Sequence, residues 1–166
     1  MRYFLLACCG LLSYSALVQR PKLRVLYQYS PPVIAKLADG FDPQQLLRLY
    51  RADFTLRAIE PNPADATLQD SMLQVDTRLD RFELRKSPGY VELQKASITS
   101  ARLSFGGMRI GTTQADFCRR LHLSPAYDAY SFLRMGELPE QITCIFANGQ
   151  LRRVEFERPT NASKFR

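Results

Sequence analysis

The spacing of apolar and polar side chains changes several times along the chain, and each change predicts a different element. Residues 3–18 run from Tyr3 to Val18 without a charge, behind the positive start Met1-Arg2. That is the order of the n-region and h-region of a secretory leader. Ser13 and Ser15 are small residues two apart, which suits cleavage after Ser15. The run is shorter than the roughly 20 residues a helix needs to cross a bilayer. A short membrane anchor is therefore the second reading, and a buried helix the third. Arg20, Lys22 and Arg24 follow closely, and positive charge prefers the cytoplasmic side.

Leu23 to Tyr29 is an apolar segment ended by Pro31-Pro32. Asp42-Pro43 reads as an N-cap and first helical residue, and Leu46, Leu47 and Tyr50 then share one face of a helix over 43–52. Pro61-Asn62-Pro63 is a loop, and Leu68, Met72 and Leu73 stand at helical spacing within 64–75. From residue 80 the period becomes two. Phe82 and Leu84 alternate with Glu83 and Arg85, Ser87-Pro88-Gly89-Tyr90 is a turn, and Val91 and Leu93 alternate again. Leu103 and Phe105 predict a third strand ending at Gly106-Gly107, so 80–106 reads as an antiparallel meander.

Thr113, with Asp116 three residues on, starts another helix. Its Phe117, Cys118 and Leu121 share a face, Arg119 and Arg120 turn away, and Ser124-Pro125 ends it. Tyr130 and Phe132 predict a strand. Ile142, Cys144 and Phe146 alternate, Asn148-Gly149 is a hairpin signal, and Leu151, Val154 and Phe156 form the return strand. The three-residue step from Leu151 to Val154 predicts a bulge at Arg152-Arg153.

These elements predict an α+β fold: an antiparallel sheet, meander plus C-terminal hairpin, with one or two short helices packed on one face. Residues 1–18 read as the signal peptide or short anchor and 19–158 as a single domain. Within that domain 19–78 is expected to be helical or irregular, 79–158 to be sheet plus helix, and 159–166 a frayed tail. The 166 residues leave room for one ordinary domain, and 46% apolar with 23% charged residues excludes wholesale disorder.

Charge and chemistry narrow the function only by exclusion. The net charge is +7, but no block of like charge stands out and the basic residues are mostly arginine. That is a solvated basic surface rather than a nucleic-acid site, which stays as the weaker alternative. A single histidine excludes a multi-histidine metal site, and no glycine loop is built for phosphate. Asp76, Asp80 and Glu83 read as a solvated face. No metal or cofactor is expected. His122 is the one base an enzyme could use, but no serine, cysteine and carboxylate set surrounds it in the sequence, and a histidine just after a helix reads as an end-cap residue.

Cysteine is the remaining chemistry. Cys118 and Cys144 are a candidate disulfide in an oxidising compartment, with two buried thiols as the other reading. Leu5-Leu6-Ala7-Cys8 resembles a bacterial lipobox, with Cys8 as the residue to be lipidated.

Residues 108–157 resemble the SmpA/OmlA-type module of bacterial envelope proteins. The resemblance rests on Ile110, Gly111, Thr113, Leu121, Pro125, Phe146, Gly149, Leu151 and Val154. Ser124 stands where that family usually has glycine, and Tyr130 at its tryptophan-like position. The resemblance implies a non-enzymatic module, exported to the periplasm or envelope, that binds or scaffolds a protein or envelope partner. Exposed strand edges and the pairs Arg119-Arg120 and Arg152-Arg153 are the expected contact surface, with membrane association through residues 3–18. A small enzyme centred on His122 is the alternative.

Overall fold

The computed structural model describes residues 25–28, 31–124, 126, 130–135 and 140–158. The leader 1–18, Cys8 and the tail 159–166 lie outside the described residues, as does Pro125. Eight strands form one open sheet: β1 (Val25–Gln28), β2 (Thr55–Pro61), β3 (Gln69–Asp76), β4 (Asp80–Ser87), β5 (Tyr90–Ile98), β6 (Phe132–Met135), β7 (Gln141–Ala147) and β8 (Gln150–Glu157). Their order across the sheet is β1-β6-β7-β8-β5-β4-β3-β2. All neighbours are antiparallel except β1, which runs parallel to β6 at the far edge. Among the described residues three α-helices accompany the sheet: α1 (Pro31–Ala38), α2 (Pro43–Leu49) and α3 (Gln114–Arg120). The fold is α+β as the pattern predicts.

The helices lie on one face. Tyr50, just past α2, meets Phe82 edge-on with ring centres 4.6 Å apart. Phe41, in the turn between α1 and α2, lies 5.3 Å from Phe156, and Phe117 of α3 meets Phe146 at 5.1 Å. Phe82, Phe146 and Phe156 all stand on the face that also carries Leu84, Ile98, Cys144 and Val154, and these are buried. The opposite face carries Arg81, Glu83, Lys95, Ser97 and Glu155 and is open around them, while Asp70, Met72 and Thr143 are buried farther along it. From β1 at one edge the chain crosses the covered face through α1, which packs on β7, and α2, which packs on β5, to reach β2 at the other.

Local chemistry explains the element ends. The Asp42 carboxylate accepts from the backbone N–H groups of Gln44 (3.1 Å) and Gln45 (3.2 Å), as an N-cap should. The Thr113 hydroxyl accepts from Asp116 N–H at 3.2 Å and donates to its carboxylate at 2.9 Å. The α3 start is pinned to the C-terminal hairpin: Gly111 N–H donates to Leu151 C=O and Gln114 N–H to Gly149 C=O, each at 2.8 Å. Asn148 and Gly149 both have positive φ, so the hairpin takes the two-residue turn its sequence predicts. The register slips at Ile145/Phe146, where Ile145 faces Arg153 and Phe146 faces Leu151, leaving Arg152 as the bulge.

Four expectations need correction. Residues 19–78 are not merely helical or irregular: they hold β1, β2 and β3, and the meander is four strands, β2 to β5. Residues 64–75 are mostly strand rather than helix, because Asp70 and Met72 are buried on one face and Val75 on the other. Pro31-Pro32 does more than break the chain, since two prolines open α1, where an N–H is not needed. Leu103 and Phe105 make no third strand. Phe105 and Met108 bond each other across Gly106-Gly107, both with positive φ, and this tight turn drives three apolar side chains into the core.

Candidate functional site

The covered face is not covered everywhere. Leu56, Leu73, Leu84 and Leu93 stand opposite one another in a row across β2, β3, β4 and β5. Leu84 and Leu93 are buried, Leu73 is half-buried, and Leu56 is 58% exposed. A bulge at Arg57 puts Ile59 on the same face, and it is 57% exposed. The helices pack over β5, β7 and β8, so the apolar row runs out from under them. At its end β2 is an edge strand with its outer backbone groups unpaired by the sheet. This shoulder combines exposed aliphatic side chains with free backbone donors and acceptors.

The open face carries two adjoining depressions. One, about 350 Å³, is lined by Gln74, Asp76, Arg81, Glu83, Lys95 and Ser97 and the backbone beneath them. The other, about 240 Å³, is lined by Arg78, Leu79, Arg81, Ser97, Thr99 and Arg153. Arg81 and Ser97 belong to both. Arg81 pairs with Asp76 at 2.8 Å and Arg153 with Glu155 at 3.3 Å. Glu83 is held by Arg57 at 3.0 Å.

A buried polar node lies under residues 77–79, the turn between β3 and β4. Asp80, 2% exposed, was expected on a solvated face with Asp76 and Glu83, yet it points into the covered side. It accepts from Tyr50 hydroxyl (2.7 Å), Ser100 hydroxyl (2.5 Å), Ser100 N–H (2.9 Å) and Thr99 N–H (3.0 Å). Burial by itself would raise its pKa, but the hydrogen bonds from Ser100, Tyr50 and Thr99 outweigh burial and hold the carboxyl below its ordinary value. Burial first, and then the bond to Asp80, pushes Tyr50 up to about 12.

His122 is exposed and has φ +55°. Leu123 N–H donates to Cys118 C=O at 2.8 Å and His122 N–H to Arg119 C=O at 3.2 Å, which is a Schellman ending with histidine in the glycine position. Helix α3 therefore ends before Ser124-Pro125. Replacing His122 by glycine is expected to raise stability by about 1 kcal/mol, since the left-handed backbone then carries no Cβ. The urea midpoint measures it, and a lower midpoint would remove the capping role.

Cys118 and Cys144 are two buried thiols with no bond between them. α3 meets β7 through Phe117, packed against Phe146. Cys144 sits in the β7 register between Leu133 and Val154, and burial pushes its pKa up, which keeps it an unreactive apolar filler. The arginine pairs do not make one surface. Arg119 and Arg120 lie on α3 over the covered face, with Arg119 bound to Asp116. Arg153 belongs to the open face, and Arg152 donates to Ala147 C=O at the hairpin.

Fold and surfaces together define an open-sheet α+β protein with one packed face, one free face and an exposed edge. No family model, curated protein or solved structure matches the chain. No helix of the described residues is long and apolar enough to cross a membrane.

Proposed function

We propose that this chain is an exported, non-enzymatic binding module of the bacterial envelope that holds an extended segment of a partner protein along β2. The observation that carries the reading is the apolar shoulder: Leu56 and Ile59, both more than half exposed, on an unpaired sheet edge. A partner strand added there completes the backbone ladder and covers the two side chains with its own alternate residues. The bulge at Arg57 and Pro61 bracket the edge, so only a short strand fits and uncontrolled sheet growth is checked. Export is supported by the uncharged run 3–18 behind Arg2 and by the resemblance of 108–157 to an envelope module. His122 is occupied in ending a helix, which weakens the enzyme alternative.

A photo-crosslinker placed at position 59 in living cells should give a protein adduct that the substitution Leu56→Lys removes. The same probe at exposed Arg109 should give none. Equal adducts at both positions would sink the edge as a docking site. The mature N-terminal mass after cell fractionation tests export, and an intact cytosolic Met1 form would refute it.

A further inference from the structure

The basic depression on the open face gathers three arginines. Arg78, Arg81 and Arg153 turn toward one recess with Ser97, Thr99 and Leu79, and no carboxylate lines it. Several arginines elsewhere are matched with acids: Arg57 with Glu83, Arg85 with Glu60 and Asp70, Arg102 with Asp53. Arg78 has no ion pair or hydrogen bond among the described residues, and neither has the Ser97 side chain. Arg81 and Arg153 each spend one edge of the guanidinium on a carboxylate, and a guanidinium has five donors. Thr99 already donates its hydroxyl to Leu79 C=O, which fixes the turn that presents Arg78. Arg78 brings an uncompensated charge to the recess, and Arg81 and Arg153 keep further guanidinium donors beside it, so the recess favours an anion. A group with several oxygen acceptors and a double charge fits such a donor set best.

The adjoining depression has the opposite character. Asp76 and Glu83 line it with Gln74 and Lys95, so a second anionic group is repelled while hydroxyls find both donors and acceptors. The two depressions share Arg81 and Ser97 and are therefore one site with two halves. We infer that the open face binds a phosphate monoester of a small polyhydroxylated molecule, with the phosphate among Arg78, Arg81 and Arg153 and the neutral body over β3, β4 and β5. This site is on the other face from the β2 shoulder and does not depend on it.

The test is calorimetric titration of the full chain at constant ionic strength with glucose 6-phosphate, inorganic phosphate and glucose, with amide NMR shifts to locate binding. Glucose 6-phosphate should bind tightest, inorganic phosphate more weakly, and glucose not detectably. Shifts should centre on residues 78–81, 97–99 and 153. The double substitution Arg78→Gln, Arg153→Gln should weaken both phosphate ligands at least tenfold, roughly what the loss of one charge-assisted contact gives, without changing the melting temperature. Lys95→Gln should remove only the advantage of the sugar phosphate over inorganic phosphate. Leu56→Lys should change nothing here. Inorganic phosphate binding as tightly as glucose 6-phosphate would overturn the polyol half of the site. Unchanged affinity in the double variant would overturn the whole.

Discussion

Replacing Asp80 by alanine is expected to lower the unfolding free energy by about 4 kcal/mol, near the upper end for one side chain. The substitution removes the acceptor for four donors at once, the Tyr50 and Ser100 hydroxyls and the Thr99 and Ser100 amides. Each buried donor left without a partner costs about 1–3 kcal/mol. The node also joins the end of α2 to the β3–β4 turn and the end of β5, so its loss loosens three elements. Asp80→Asn should cost less, because its oxygen still serves the two amides and both hydroxyls can turn to accept.

The same node shapes the pH profile. The folded pKa of Asp80 lies below its ordinary value of 3.8, so its stabilisation is present above that value and is lost as pH falls through the folded pKa. Tyr50 shifts the other way, from 10.0 to about 12. Its contribution is complete below pH 10 and disappears as the pH rises toward about 12. Chemical denaturation across pH should show both limbs in the native chain. Tyr50→Phe should flatten the alkaline limb, and an unchanged limb would show that another group causes it.

Gly40→Ala is the second large effect, at about 3 kcal/mol. Gly40 lies in the short turn joining α1 and α2, where a Cβ would stand 2.4 Å from Phe105 Cδ1 and 2.6 Å from Ser104 C=O. The ring can turn, but the carbonyl belongs to the backbone that leads into the Gly106-Gly107 turn. Gly89→Ala is the comparison: no atom lies within 4 Å of its Cβ, and only the φ of +91° is strained, so about 1 kcal/mol is expected. Adding Phe105→Leu to Gly40→Ala should recover part of the loss, giving a favourable coupling in a double-mutant cycle. Additive losses would mean that the two residues do not meet.

The strands that alternate in the sequence are those with an apolar covered face and a mostly polar open face. Phe82 and Leu84 against Glu83 and Arg85, and Ile142, Cys144 and Phe146, were legible for that reason. The Asn-Gly turn, both helix caps and the Arg152 bulge follow from local chemistry and were legible too. β3 was hidden because it buries a polar residue: Asp70 is held by Asn62 at 2.8 Å, which breaks the alternation. α1 was hidden because a proline pair that ends one segment also starts the next. The candidate surfaces were less legible still. Arg78 and Arg81 meet Arg153 only because β5 pairs with β8, and Leu56 and Ile59 share a face only because of a bulge.

The far-edge strand has a consequence for how the molecule assembles. β2 to β5 are joined by short turns and close with little loss of chain entropy, so they suit an early nucleus. β8 reaches β5 only after the α3 crossover. β1 must wait longest, since its register sets Val25 beside Phe132 and Gln28 beside Met135. With four residues and one neighbour, it should be the last strand to dock and the first to release its amide protons to exchange.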